Sequence, residues 1–173
     1  RGGAWMDVCQ SRANLNGATQ APVAYLVCNF SAPAGDRPSL LTHSEVVTLF
    51  HEFGHGLHHL LTEVDYPSIS GINGVPCDAV ELPSQFLENF TWRPELLSGI
   101  ARHYQTGAAL PADKIEMMNR SRTFLAGLAM ARQIEFALFD FRLHHEYEPS
   151  NGSRVLEILA EVRSEVAVLE APA

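Results

Sequence analysis

A chain of 173 residues with net charge −8 and 46% hydrophobic residues is about one domain long, with apolar content enough for a core. The acidic balance argues against nucleic acid and anionic membranes as partners, and no apolar run approaches the roughly 20 residues that span a bilayer. The three cysteines, Cys9, Cys28 and Cys77, form no Cys-x-x-Cys pair and point to a reducing compartment.

Along the chain, residues 7–22 are small and polar and are expected to form a loop. Val23 to Phe30 is rich in Val, Tyr and Phe and reads as the one strand. Pro33, Gly35 and Pro38 end it. Thr42 and Glu45 then have capping-box spacing. Val46, Leu49, Phe50, Phe53, Leu57, Leu60 and Leu61 recur at steps of three and four, which predicts a helix over about 43–62. Gly54 and Gly56 each cost that helix about 1 kcal/mol relative to Ala. Such weak points imply close approach of a substrate or a neighbouring backbone, or plain helix–helix packing at small residues.

Inside this helix residues 51–55 read His-Glu-Phe-Gly-His. Two histidines four apart on a helix lie about 40° apart in azimuth and about 6 Å apart in rise. His51 and His55 can therefore reach one tetrahedral zinc ion from one face. Glu52 projects beside them, where a carboxylate can take a proton from metal-activated water. This is the His-Glu-x-x-His arrangement of zinc peptidases.

A catalytic zinc needs a third protein ligand and an open position. The downstream donors are His58, His59, Glu63, Asp65, Asp78, Glu81 and Glu88. Position 61 is Leu, so the pattern with a third His six residues after the second is absent. His59 is one turn beyond His55, and three ligands on one continuous helix splay too far along its axis. Residues 64–77, with Pro67, Gly71, Gly74 and Pro76, read as a long loop that folds a second helix back over the first. That helix is expected from Asp78 as N-cap, with Glu81 at N3, and Pro83 removing one intrahelical bond. Glu81 is the ligand this reading selects. Its plainer alternative is an ordinary first-turn glutamate. Glu88, seven residues on, shares its face and could hold a ligand histidine by its other ring nitrogen.

Further helices are predicted at about 94–104 with Pro94 at N1, 112–119, 121–147 and 152–168. The third is apolar almost all round, through Phe124, Leu125, Leu128, Ile134, Phe136, Leu138, Phe139 and Phe141, and should be buried in a larger protein.

The segments 49–59, 70–76 and 80–89, with 1–6, 23–30 and 133–142, resemble the thimet oligopeptidase family of zinc metallopeptidases over nearly the whole chain. The resemblance implies one Zn2+ per chain, held by His51, His55 and Glu81, with Glu52 as general base. It implies endopeptidase action on short, unstructured peptides in a deep helical cleft of a cytoplasmic enzyme. The implied fold is mainly α, a helical zincin-like catalytic core with one small β element near residues 23–30. That strand would edge the cleft, where an extended peptide can pair with it. A buried strand of a small sheet is the other reading.

Members of that family are several-fold longer, and they carry downstream a Tyr- and Gly-rich segment with a His that binds substrate and stabilises the oxyanion. The chain is accordingly expected to be a single fragment of a larger catalytic domain, with weak or no activity alone. Its parts would be loop and strand 1–38, zinc-site helices 39–92 and a helical remainder 93–173. His58, His59, Tyr66 and Tyr104 are the local alternatives for the oxyanion donor. Two rival readings are a deformylase-like zinc hydrolase with Cys28 or Cys77 as third ligand, and a non-catalytic helical module with a relic metal site.

Overall fold

The computed structural model describes residues 3–169. The fold is mainly α with a small antiparallel β element, and two compact units divide the chain between Ile115 and Glu116.

In the first unit β1 (Ala4–Gln10) pairs antiparallel with β4 (Val23–Cys28), from Ala4 opposite Cys28 to Gln10 opposite Val23, with a bulge between Val8 and Gln10. A second pair, β2 (Ala13–Leu15) and β3 (Ala18–Gln20), is a hairpin closed by Asn16 and Gly17 at φ 54° and 84°. Asn-Gly is the sequence signature of a two-residue turn with both central residues left-handed. The expected loop over 7–22 is therefore mostly strand. The signal for it was that Asn-Gly pair, together with the inward alternation of Ala4, Met6 and Val8.

α1 (His43–Leu60) runs where the periodicity puts it, and its capping box forms. The Glu45 N–H donates to Thr42 Oγ1 at 3.3 Å, and the Thr42 N–H donates to Glu45 Oε2 at 2.7 Å. One face of α1 packs on β1 and β4, another on α2 (Leu82–Glu88). Glycines make both contacts possible. A β-carbon at Gly54 would stand 2.5 Å from Ser84 Cα and 2.7 Å from the Pro83 carbonyl oxygen, and one at Gly56 would stand 3.3 Å from Leu26 Cδ2. Gly54 thus admits the backbone of α2 against α1.

α2 starts at Leu82, not at Asp78. The Pro76 carbonyl accepts from the N–H groups of Ala79 and Val80, at 2.9 and 3.0 Å, and this turn holds the chain out of the helix. Glu81 is consequently the N-cap and not N3, and its side chain makes no cap hydrogen bond. Pro83 falls at N2, where a backbone N–H has no intrahelical acceptor, so it costs α2 nothing.

After a 3₁₀ turn at Asn89–Trp92, α3 (Pro94–Ile100) ends four residues earlier than expected. The chain doubles back there, the Leu110 N–H donating to Ala101 O at 2.9 Å and the His103 N–H to Ala108 O at 2.8 Å. α4 (Ala112–Ser121), α5 (Ala126–His145) and α6 (Val155–Val166) follow. The helix expected over 121–147 begins only at Ala126. The Ser121 hydroxyl donates to the Met118 carbonyl at 2.7 Å, a side-chain bond that competes with helical continuation. Leu125 then adopts the left-handed region at φ 54°.

In the second unit α5 and α6 pack together over Ile158 and Val162, and the buried Glu135 is paired with Arg132 at 2.6 Å and Arg163 at 2.9 Å. Much of α5 is open, with Met130, Phe136 and Phe141 all exposed. The apolar composition thus does not translate into a large core among the described residues, where the buried apolar side chains are Ala13, Leu97, Ile115, Ile158 and Val162.

Candidate metal centre

Two histidines on α1 and a glutamate at the start of α2 converge. Glu81 Oε2 lies 3.2 Å from His51 Nε2 and 3.2 Å from His55 Nε2. The three donor atoms all lie within 4.8 Å of one another. His51 and His55 meet edge to face, with ring centroids 4.9 Å apart, as residues one turn apart on a helix do. His55 is buried, while the Glu81 side chain is 47% exposed.

The second nitrogen of His51 is also engaged. Its Nδ1–H donates to Glu88 Oε1 at 2.6 Å, because a carboxylate can only accept. In the neutral ring that bond places the proton on Nδ1 and leaves the lone pair on Nε2, the nitrogen that faces the convergence point. Glu88 is one helix face along from Glu81, and Thr91 Oγ1 donates to the Glu88 carbonyl at 2.6 Å, tying down the end of α2.

These residues fit a zinc ion. A tetrahedral ion with bonds of about 2.0–2.1 Å has ligand–ligand edges of about 3.3 Å, close to the two nitrogen–oxygen separations here. Direct ionised hydrogen bonds run shorter, at about 2.7–2.9 Å. Two neutral imidazole nitrogens and one carboxylate oxygen are also a common catalytic zinc donor set. His55 Nδ1 is buried with no partner among the described residues, which is where a proton sits once Nε2 gives its lone pair away.

Glu52 lies about 60° around the helix from His55 and about 100° from His51. It is buried, 6% exposed, on the side of α1 that faces β4. Cys28 at the end of β4 senses it, the thiol being pushed up first by burial and then by the Glu52 charge. Strand residues two apart span about 6.8 Å and helix residues four apart about 6 Å, so Leu26 over Gly56 and Cys28 beside Glu52 match in pitch.

The loop between the two helices is pinned at several points. His59, fully buried, donates through Nε2–H to the Gln10 carbonyl at 2.9 Å. Gly71 lies against that ring, and a β-carbon there would stand 2.4 Å from His59 Nδ1. Arg12 pairs with Asp65 at 2.7 Å, and Asn73 Nδ2 donates to Ser11 Oγ at 2.9 Å. Of the oxyanion alternatives, His59 is thus sealed in packing, and Tyr66 is exposed. Neither they, His58 nor Tyr104 belongs to the donor group, and neither do Cys28 and Cys77.

One contact escaped the sequence reading. Ser84 Oγ lies 2.9 Å from Glu81 Oε2 and 2.9 Å from the Glu81 carbonyl. Its signal is Glu81-Leu-Pro-Ser84, a capping box written backwards.

The sequence model of Peptidase family M3 matches residues 1–173. Oligopeptidase A of Haemophilus influenzae is 53% identical over 171 residues, 98% of this chain and 25% of that protein. Oligopeptidase A of Escherichia coli is 54% identical over 173 residues, 99% of this chain and 25% of that protein. A probable cytosolic oligopeptidase A of Arabidopsis thaliana is 45% identical over 162 residues. The chain thus spans about a quarter of the length of these relatives. Among the described residues no helix is long and apolar enough to cross a membrane.

Proposed function

Because the chain belongs to Peptidase family M3, we propose that its protein is a zinc-dependent endopeptidase acting on short oligopeptides, and that these residues hold the metal half of its site. The observation that carries the reading is the approach of Glu81 Oε2 to both histidine Nε2 atoms. His51, His55 and Glu81 would hold one zinc ion. When bound, zinc polarises the scissile carbonyl and lowers the pKa of water.

The chain's own residues do the rest. The Glu52 carboxylate takes the proton of the attacking water and delivers it to the leaving amine nitrogen. Glu88 Oε1 keeps the His51 proton on Nδ1, so that Nε2 stays available. The β-sheet face against α1 shields Glu52 from bulk water on one side.

Residues 1–38, 39–92 and 93–173 are, in this reading, parts of one larger catalytic domain. Turnover then belongs to the full-length protein, and the 173 residues alone have little or none. The cytosol is the proposed compartment, in keeping with the unpaired cysteines and with the name of the Arabidopsis relative.

The test uses the full-length protein, zinc analysis and a quenched peptide. His51→Ala and Glu81→Gln should lose both zinc and hydrolysis. Glu52→Gln should keep zinc and lose about 10²–10⁴-fold in rate. Cys77→Ala should change neither. Zinc lost from Cys77→Ala but retained by Glu81→Gln would sink the proposal.

A further inference from the structure

We propose that Ser84 is a positioning residue that sets metal affinity by fixing the Glu81 carboxylate against the two histidines. This rests on the zinc reading above. Glu81 needs such help. Its side chain is nearly half exposed, has several rotatable bonds, and receives no hydrogen bond from its own helix N-terminus. A carboxylate at an N-cap ordinarily folds back onto the N–H of N2 or N3. Here it points the other way, to His51 and His55.

Ser84 occupies N3, the position from which a capping-box glutamate reaches back. The roles are exchanged, with the acid at the N-cap and the hydroxyl at N3. Ser84 Oγ has a single proton and two acceptors at 2.9 Å, the Glu81 carbonyl and Oε2. The ionised oxygen is the stronger acceptor, so the proton goes to Oε2. That is the same oxygen that meets both histidines.

Ser84 is itself fully buried, and its Cα lies against Gly54, between the two histidines in sequence. The hydroxyl therefore stands on a backbone that is already registered to the ligand helix. It transfers the position of α1 to a side chain that would otherwise be loose. Helix packing brings the glutamate near, and the serine proton selects one rotamer of it.

The experiment measures zinc dissociation constants of the full-length protein by competition with a chromophoric chelator, alongside circular dichroism and thermal melting of the metal-free forms. Ser84→Ala should weaken zinc by about ten- to hundredfold while the metal-free fold is unchanged. Ser84→Thr, which keeps the hydroxyl, should recover most of the affinity. Equal affinity for wild type and Ser84→Ala overturns the proposal and leaves the zinc reading intact. A wild type that binds no zinc overturns both. Should Ser84→Ala lose its metal-free fold, the isosteric pair Ser84→Thr and Ser84→Val takes its place, with the Val form expected to bind zinc about ten- to hundredfold more weakly than the Thr form.

Discussion

Gly54 of α1 and Ser84 of α2 touch backbone to backbone, so closely that a β-carbon on the glycine would fall 2.5 Å from the serine Cα. Gly54→Ala gains helix propensity of about 1 kcal/mol. It also drives a methyl into main-chain atoms that cannot swing aside, which costs about 1–3 kcal/mol and pushes α2 outward. The expected result is a lower urea midpoint together with weaker zinc binding, because the displaced helix carries Glu81. Gly99→Ala, with open space around the site, should show neither loss.

Removing the charge of Glu88 should act on metal affinity through His51. Glu88→Gln keeps an acceptor near Nδ1 but no longer stabilises a polarised ring. Loss of such a partner typically costs about 10–100-fold in affinity. The check is a chelator titration, with hydrolysis at saturating zinc recovering most of its rate.

Gly71 carries two constraints that can be separated. Its φ is +64°, and its would-be β-carbon is 2.4 Å from His59 Nδ1 and 2.9 Å from His59 Cα. Gly107 has a similar φ of +70° with nothing within 4 Å. Gly107→Ala should therefore cost only the backbone strain, about 1–2 kcal/mol. Gly71→Ala should cost clearly more, with thermal unfolding as the measure. Equal losses would mean that the ring contact gives way easily.

The capping box makes stability depend on pH in a definite sense. Thr42, through its backbone N–H first and its hydroxyl second, holds the Glu45 carboxyl below its usual range. A carboxyl whose pKa is lower in the folded state contributes stability above its unfolded pKa and loses it as pH falls through the folded value. The melting-temperature advantage of wild type over Glu45→Gln should therefore be present at neutral pH and vanish in acid. An advantage that grows on acidification would contradict this.

Features set by neighbours in the chain were legible from sequence. Thr42 with Glu45, and His51 with His55, depend only on helical spacing, and Glu81 could be named as their companion because a second helix had to return to them. What the sequence hid was decided by competition between local signals. Asp78 and Glu81 look like a capping box, but Pro76 accepts two N–H groups first and postpones the helix, which moves Glu81 from N3 to the N-cap and leaves its carboxylate to Ser84 and the two histidines. The hairpin at Asn16-Gly17 was obscured by small polar residues that also suit a loop. The start of α5 depends on Leu125 in a conformation no sequence rule assigns to leucine.

The long pinned loop between His55 and Glu81 has an energetic consequence. An ion bound by both ends acts as a reversible cross-link across that stretch, lowering the freedom of the chain in any state that keeps the ligands together. Its binding free energy is then partly folding free energy for α2. With zinc at this site, metal affinity and the cohesion of the two helices would be coupled, and a substitution that loosens the fastening of the loop at Gln10, Asp65 or Ser11 would weaken the hold on the ion as well.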